Sequence, residues 1–510
     1  MAEQLQESPT FWDLVERRAE LTPDALMLVD ERDRRMTFGE FRDRAERVAA
    51  GLHDLGITPG TSVTWQLPTR MESVLVSVAL ARLGAVQTPI LHIYRDREVG
   101  FVLRQQGSPF YICPGVWRDV DFPKMAADAG TGAKVIVAYD ELPEGDPSTL
   151  PPAPVDGDAV RWIYFTSGTT SDPKGVQHTD RTLIAGGYGL AHAVDMGPGD
   201  VGSMVFPFAH IAGPDYLVMM FIGGCSAMLM EAFVIADAIP LFARNGVTMA
   251  GGSTAFYLMY LAEQRKQPGE KIIPTLEYLS GGGAPKPPEI FYEVQREMGV
   301  RTLHGYGMTE CPMISQGSPR DTDEQLANTE GAPVFGCEIT IVDADENVCP
   351  PGVDGEVRLR GPMVCKGYTD PELTKAAFDD EGRFRTGDLG HLRDDGHIVL
   401  TGRLKDVIIR KGENVSAKEI EDVLYEHPKV KDVAVIGVPD RERGEMVCAV
   451  VEPAEGVDAP LTLDEVVAHC KAAGLMMQKI PERLEVVDAL PRNNTLNKIL
   501  KYKLREQFGA

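Results

Sequence analysis

Residues 164–176 read YFTSGTTSDPKGV, an apolar stretch that opens into Ser, Thr and Gly and is closed by Pro173, Lys174 and Gly175. These residue types can surround a polyphosphate. Small residues let backbone N–H groups approach the oxygens, hydroxyls add donors, and a lysine supplies a point charge to leaving phosphates. The run is not a Walker loop, because Pro173 stands where the second glycine should be and Gly175 follows the lysine. Taken alone, such a loop is equally well a surface turn.

Six further segments have types and spacing suited to chemistry: SGGGAP (280–285), HGYGMTE (304–310), GEVRLRG (355–361), FRTGDLG (384–390), TGRLKDVIIRKGEN (401–414) and PRNNTLNKILKYKLR (491–505). Each also has a plain structural use. Three glycines make a turn, Tyr306 serves as a core aromatic, Glu310 as a solvated acid at a helix start, and Asp388 as a turn residue. His210, in FPFAHIAG (206–213), would by itself be a satisfied core histidine.

The elements that must hold these residues alternate between strand-like runs and helical periodicity, which predicts an α/β architecture with largely parallel sheets. Thr37 and Glu40 form a capping-box pattern, and Phe38, Phe41, Ala45, Val48, Ala49, Leu52 and Leu55 share one face, so a helix is expected from about 38 to 56. TSVTWQL (61–67), KVIVAYD (134–140) and RWIYFTSG (161–168) read as strands, and the Pro-rich stretch 142–158 as loop. Beyond TGRLKD (401–406) the texture changes. Helical SAKEIEDVLYEH and LTLDEVVAHCKAAG alternate with strands VKDVAVIGV, EMVCAVVE and ERLEVVD in a compact α+β unit.

Length and composition bound the class. The 510 residues require a large core and at least two folding units, and 43% hydrophobic with 25% charged residues is ordinary globular composition. A formal charge of −25 works against non-specific binding to nucleic acid or anionic lipid, so an anionic ligand needs locally placed donors. The eight cysteines form no C-x-x-C pair and signal neither a disulfide framework nor a zinc site. The start MAEQLQESPTFWD lacks the basic-then-apolar order of a secretory signal, so a cytoplasmic protein without a transmembrane segment is expected.

With the loop at 164–176 followed in order by the other segments, the chain resembles the adenylate-forming acyl-CoA synthetase superfamily over nearly its whole length. The resemblance implies a large N-terminal multi-subdomain α/β domain (1–402) with the acyl pocket, a hinge (403–406), and a small mobile C-terminal α+β domain (407–510). The implied reaction is ATP-dependent and AMP-forming. A carboxylate attacks the α-phosphorus, pyrophosphate leaves, and the acyl group passes to coenzyme A. Because an anion approaches a polyanion, catalysis should consist mainly of positioning and of donors aimed at developing charge.

In these terms Thr166, Ser167, Gly168, Thr169, Thr170 and Lys174 line the phosphates. Ser171 departs from the usual glycine, at about 1–2 kcal/mol if the position needs φ > 0. Gly305, Tyr306 and Gly307 hold the adenine with Gly283, Ala284 and Pro285. Thr309 donates to the α-phosphate, and Glu310 helps hold Mg²⁺. Asp388 offers two acceptor oxygens to the ribose hydroxyls beside Arg403. His210 and Gly282 stand between the acyl pocket and the thiol channel, Gly412 lines the coenzyme A channel, and Lys405 is the pivot. The acyl pocket is expected from 206–213, 250–256 and 281–284.

Lys498 is implied as the adenylation lysine, although Asn497 replaces the usual preceding glycine and the spacing from Pro491 is one residue longer. Lys501 and Lys503 follow in a helical stretch as rivals. The reading is a carboxylate–CoA ligase for a fatty, alicyclic or steroid-derived acid, with a homodimer left open. A standalone enzyme loading a carrier protein and a non-catalytic nucleotide-binding relative are the alternatives.

Overall fold

The computed structural model describes all residues except 1–4, 167–172, 284–285, 411–412, 441–443, 457–458, 493–497 and 510. The α/β expectation holds. A nine-stranded sheet has the order 332–333, 311–316, 301–308, 278–282, 249–252, 201–204, 226–229, 26–30, 35–37. Its six central strands run parallel, from Arg301–Met308 to Leu26–Asp30. A six-stranded sheet has the order 174–179, 160–166, 86–89, 62–65, 110–113, 134–137 and is parallel except for its first strand.

The core includes helices that are buried on every side and accordingly mostly apolar. Every residue of Met71–Leu83 is buried, including Glu72, which accepts from Arg34 and Arg70 at 2.5 and 3.2 Å. Helix Ala212–Gly223 is buried from Gly213 to Ile222 and ends at Gly224 in the left-handed region. Helix Phe38–Asp54 starts at Thr37 with both halves of the predicted capping box formed, an arrangement worth about 1 kcal/mol. The stretch 142–158 is loop apart from one short 3-10 turn at Pro147–Thr149.

One sheet departs from the largely parallel expectation. Strands Glu338–Val342, Gly355–Arg360, Phe384–Leu392 and Ile398–Arg403 form an antiparallel sheet of their own, and it carries Asp388 and Arg403 as direct cross-strand partners. After Arg403 the chain makes a 3-10 turn at Leu404–Asp406 and enters a fourth sheet. There Val430–Asp440 and Gly444–Pro453 form a long antiparallel pair, Arg483–Val486 adds in parallel, and helices Ala417–Tyr425 and Leu463–Ala472 cover one face around Ile420, Leu424, Val466 and Cys470. Among the described residues no helix is long and apolar enough to cross a membrane.

Candidate active site

Strands Val160–Thr166 and Lys174–Thr179 form an antiparallel hairpin with Thr166 opposite Lys174, so the two sit at the base of the Ser/Thr/Gly loop. Ser167, Gly168, Thr169, Thr170 and Ser171 lie outside the described residues, as do Ala284, Pro285, Lys411, Gly412 and Asn497. The Lys174 ammonium stands 5.3 Å from the centroid of the Tyr368 ring. The Tyr368 hydroxyl in turn donates to Glu310 Oε1 at 2.7 Å.

Glu310 is 7% exposed and sits in a hairpin, not at a solvated helix start. Thr309 and Glu310 are the two turn residues between Arg301–Met308 and Cys311–Gln316, with Met308 paired to Cys311. Both turn carbonyls are held. The Thr309 carbonyl accepts from His178 Nε2 at 2.8 Å, and the Glu310 carbonyl accepts from the Cys365 N–H at 2.8 Å. Burial pushes His178 down to about 4, so at neutral pH it is uncharged. Its proton must lie on Nε2, facing the carbonyl, and Nδ1 accepts from the Thr182 hydroxyl at 2.9 Å. Burial also raises the Glu310 carboxyl, against the Tyr368 hydroxyl and the Lys174 charge.

Tyr306 is buried on the strand leading to this turn, and its hydroxyl donates to Asp388 Oδ2 at 2.6 Å. Arg403 Nε reaches Asp388 Oδ1 at 2.7 Å. The sequence expectation left both oxygens for ribose. Here each already holds one donor, and a further donor must use a remaining lone pair. Asp388 also raises the Arg403 guanidinium, locking its charge.

Glycines form the wall below. Gly252, Gly281, Gly282 and Gly305 lie side by side at the ends of neighbouring strands. A Cβ on Gly282 would come within 2.3 Å of the Gly305 carbonyl oxygen, and one on Gly305 within 2.1 Å of Gln316 Oε1, so only glycine fits at this approach. Gly283 follows with φ 78°, and Gly307 sits beside the Pro312 carbonyl. Of the expected pocket segments, 206–213 contributes Ala209, His210 and Ile211 to a cleft that Tyr94, Tyr164 and Thr309 also line. His210 Nδ1 accepts from the Ala212 N–H at 3.3 Å, and burial together with the charge of Lys498 pushes His210 down to about 4.

Lys498 converges on the same place from the C-terminal end of the chain. Its surroundings push it down to about 8 through burial first, then the like charges of Arg403 and Lys405, with Asp388 opposing. The rival Lys501 is committed elsewhere, paired with Glu421 at 2.6 Å in the first turn of helix Lys501–Phe508, and Lys503 is exposed. Lys405 lies in the 3-10 turn, and the neighbouring Asp406 pairs with Arg505 at 2.8 Å.

A family model described as AMP-binding enzyme matches residues 15–369, and the AMP-binding enzyme C-terminal domain matches 419–496. The chain belongs to the AMP-binding enzyme family. It is 32% identical over 516 residues to the medium-chain fatty-acid–CoA ligase of Escherichia coli, covering 97% of this chain and 90% of that one. To a long-chain-fatty-acid–CoA ligase of Mycobacterium tuberculosis it is 31% identical, covering 98% of each. The o-succinylbenzoate CoA synthetase of Bacillus subtilis, solved with its acyl-adenylate intermediate, superposes with TM-score 0.83 at 29% identity, covering 97% of this chain and 98% of that one. The same synthetase has been solved with ATP and magnesium ion. This AMP-binding enzyme is thus an ATP-dependent, AMP-forming acyl-CoA synthetase of the adenylate-forming superfamily, with ATP and coenzyme A as co-substrates and Mg²⁺ as cofactor.

Among the described residues no group of three or more His, Cys, Asp or Glu could cage a metal. Glu310 still fits Mg²⁺, which binds through one or two carboxylates and substrate phosphates. Tyr368 occupies only its Oε1, and a buried carboxyl raised in pKa is suited to an arriving cation. When bound, the ion would neutralise phosphate charge. Two positioning residues escaped sequence reasoning, His178 and Tyr368. The first follows Lys174 by four residues in the strand KGVQHT and had no local cue. The second is 58 residues from Glu310 and had none either.

Proposed function

We propose that this acyl-CoA synthetase forms an acyl-adenylate with Lys498 bridging the attacking carboxylate and the α-phosphate, and that its acid has an apolar fatty, alicyclic or steroid-derived skeleton. The observation that carries the reading is the convergence of Lys498 with Asp388, Arg403 and His210. A carboxylate oxygen bonds to the α-phosphorus as the bond to pyrophosphate breaks. Then the coenzyme A sulfur bonds to the acyl carbon and AMP leaves. Thr309 would donate to the α-phosphate from a turn whose carbonyl is pinned by His178. Thr166 and Lys174 would face the leaving phosphates, Tyr306 the adenine, and Asp388 with Arg403 the ribose.

Residues 1–402 act as the adenylation domain and 407–510 as the mobile domain, with 403–406 as hinge and Lys405 its pivot; the 3-10 turn at Leu404–Asp406 between separate sheets supports this division. Eight unpaired cysteines support a reduced, cytoplasmic setting. The test is carboxylate-dependent exchange of pyrophosphate into ATP, followed by thioester formation on coenzyme A and on a pantetheinyl carrier protein, across short, medium, long, aromatic and alicyclic acids. Exchange with coenzyme A thioester is expected. Thioester on the carrier alone contradicts the acceptor, and absence of exchange contradicts catalysis.

A further inference from the structure

The Ser416 hydroxyl donates to the Thr401 carbonyl at 2.5 Å, across the 3-10 turn at Leu404–Asp406. Thr401 lies on strand Ile398–Arg403, in the sheet that carries Asp388, whereas Ser416 caps helix Ala417–Tyr425 of the C-terminal unit. The same Ser416 oxygen accepts from the Glu419 N–H at 3.3 Å. One hydroxyl therefore does two things. Its lone pair caps the helix, and its proton ties that helix to the sheet before the turn.

The capped helix also reaches the segment of Lys498. Glu421, in its second turn, pairs with Lys501 at 2.6 Å, three residues beyond Lys498, and accepts from the Val435 N–H at 2.6 Å. Helix Lys501–Phe508 is held from its other end by Arg505, paired with Asp406 in the 3-10 turn at 2.8 Å. The face that carries Ser416 is turned to the N-terminal domain. Two residues on, Lys418 pairs with Asp422 at 2.7 Å, and against burial Asp422 and then Glu330 raise its ammonium. Glu330 is 9% exposed, and its Oε2 accepts at 2.9 Å from the N–H of Leu400, the neighbour of Thr401. A line of contacts thus runs from Thr401 through Ser416, Glu421 and Lys501 to the place of Lys498.

We propose that Ser416 is a positioning residue for adenylation: its hydrogen bond to the Thr401 carbonyl docks the C-terminal domain with Lys498 in the site, and the bond breaks when the domain turns for thioester formation. This deepens the proposed function and rests on its reading of 403–406 as hinge and Lys498 as the bridging charge. Donor and acceptor stand on opposite sides of that hinge, so a rotation about it separates them. The cap to Glu419 lies within one helix and turns with it. A contact made in one orientation only favours that orientation, so its loss weakens one half-reaction and spares the other.

The experiment measures both half-reactions in variants of Ser416 that keep the cap: carboxylate-dependent exchange of pyrophosphate into ATP, and thioester formation from preformed acyl-adenylate and coenzyme A. Aspartate caps a helix as well as serine does, but its carboxylate has no proton to donate. Ser416→Asp is therefore expected to keep Tm, to lower kcat of exchange by about tenfold with little change in KM for ATP, and to leave thioester formation unchanged or faster. Ser416→Gly, which costs the cap little and also lacks the donor, should show the same one-sided loss and serves if the aspartate chain folds poorly. Ser416→Thr keeps the hydroxyl and should retain both half-reactions. Wild-type exchange in either donor-lacking variant, or equal loss of both half-reactions, overturns the proposal. Full exchange in Lys498→Ala instead overturns the bridging-lysine reading beneath it.

Discussion

The Tyr306 hydroxyl donates to Asp388 Oδ2 at 2.6 Å, tying the strand Arg301–Met308, which leads to Thr309, to the separate antiparallel sheet that carries Arg403. A hydrogen bond to a charged group contributes about 1.5–3 kcal/mol. Tyr306→Phe keeps the ring but frees the carboxylate, and is expected to lower kcat/KM for ATP in pyrophosphate exchange by about 10–10²-fold. An unchanged value would mean that the link does not position the nucleotide site.

His178 should act through Thr309. His178→Gln can place an N–H near the Nε2 position, whereas His178→Leu removes the donor to the Thr309 carbonyl. Leu is expected to lower kcat of adenylation by about tenfold or more with little change in KM for the acid, and Gln to restore most of it.

The same residue has a signature in stability. Its folded value of about 4 lies below the ordinary 6.5, so the unfolded chain takes up the extra proton between them and stability is lost as pH falls through that window. At pH 5 the loss from this residue is about 2 kcal/mol. Urea unfolding at pH 7 and pH 5 should show a smaller difference for His178→Gln than for wild type.

Lys498, held at about 8, is expected to set the alkaline limb of adenylation if it takes the proposed role. In that role only the protonated form can bridge two anions, so kcat/KM should fall as pH rises through about 8. Lys498→Arg keeps its charge and should lose that limb. His210, pushed down to about 4, stays neutral and contributes no step between pH 5 and 8. A pH profile unchanged in Lys498→Arg would assign the limb to another group.

Much of the scaffold was legible because local chemistry and fold agree. The Thr37–Glu40 box starts its helix where the pattern places it, and the apolar run before Thr166 is a buried strand ending at the predicted loop. The antiparallel sheet that carries Asp388 was not legible as such. Its strand Gly355–Arg360 buries Arg358 at 2% exposure among Glu346, Glu356 and Asp379, and buried charge breaks the apolar alternation that marks a strand. His178 was missed for a related reason: it matters through a contact with the distant Thr309, which no local pattern encodes.

The most direct measurement separates the two half-reactions of Lys498→Ala. Adenylation, read as carboxylate-dependent pyrophosphate exchange, should fall about 10²–10³-fold or more, as when a charge-stabilising donor is lost. Conversion of preformed acyl-adenylate and coenzyme A to thioester should proceed at close to the wild-type rate. Equal loss of both half-reactions, or retention of full exchange activity, would contradict the assignment of Lys498 as the charge brought in for the first step.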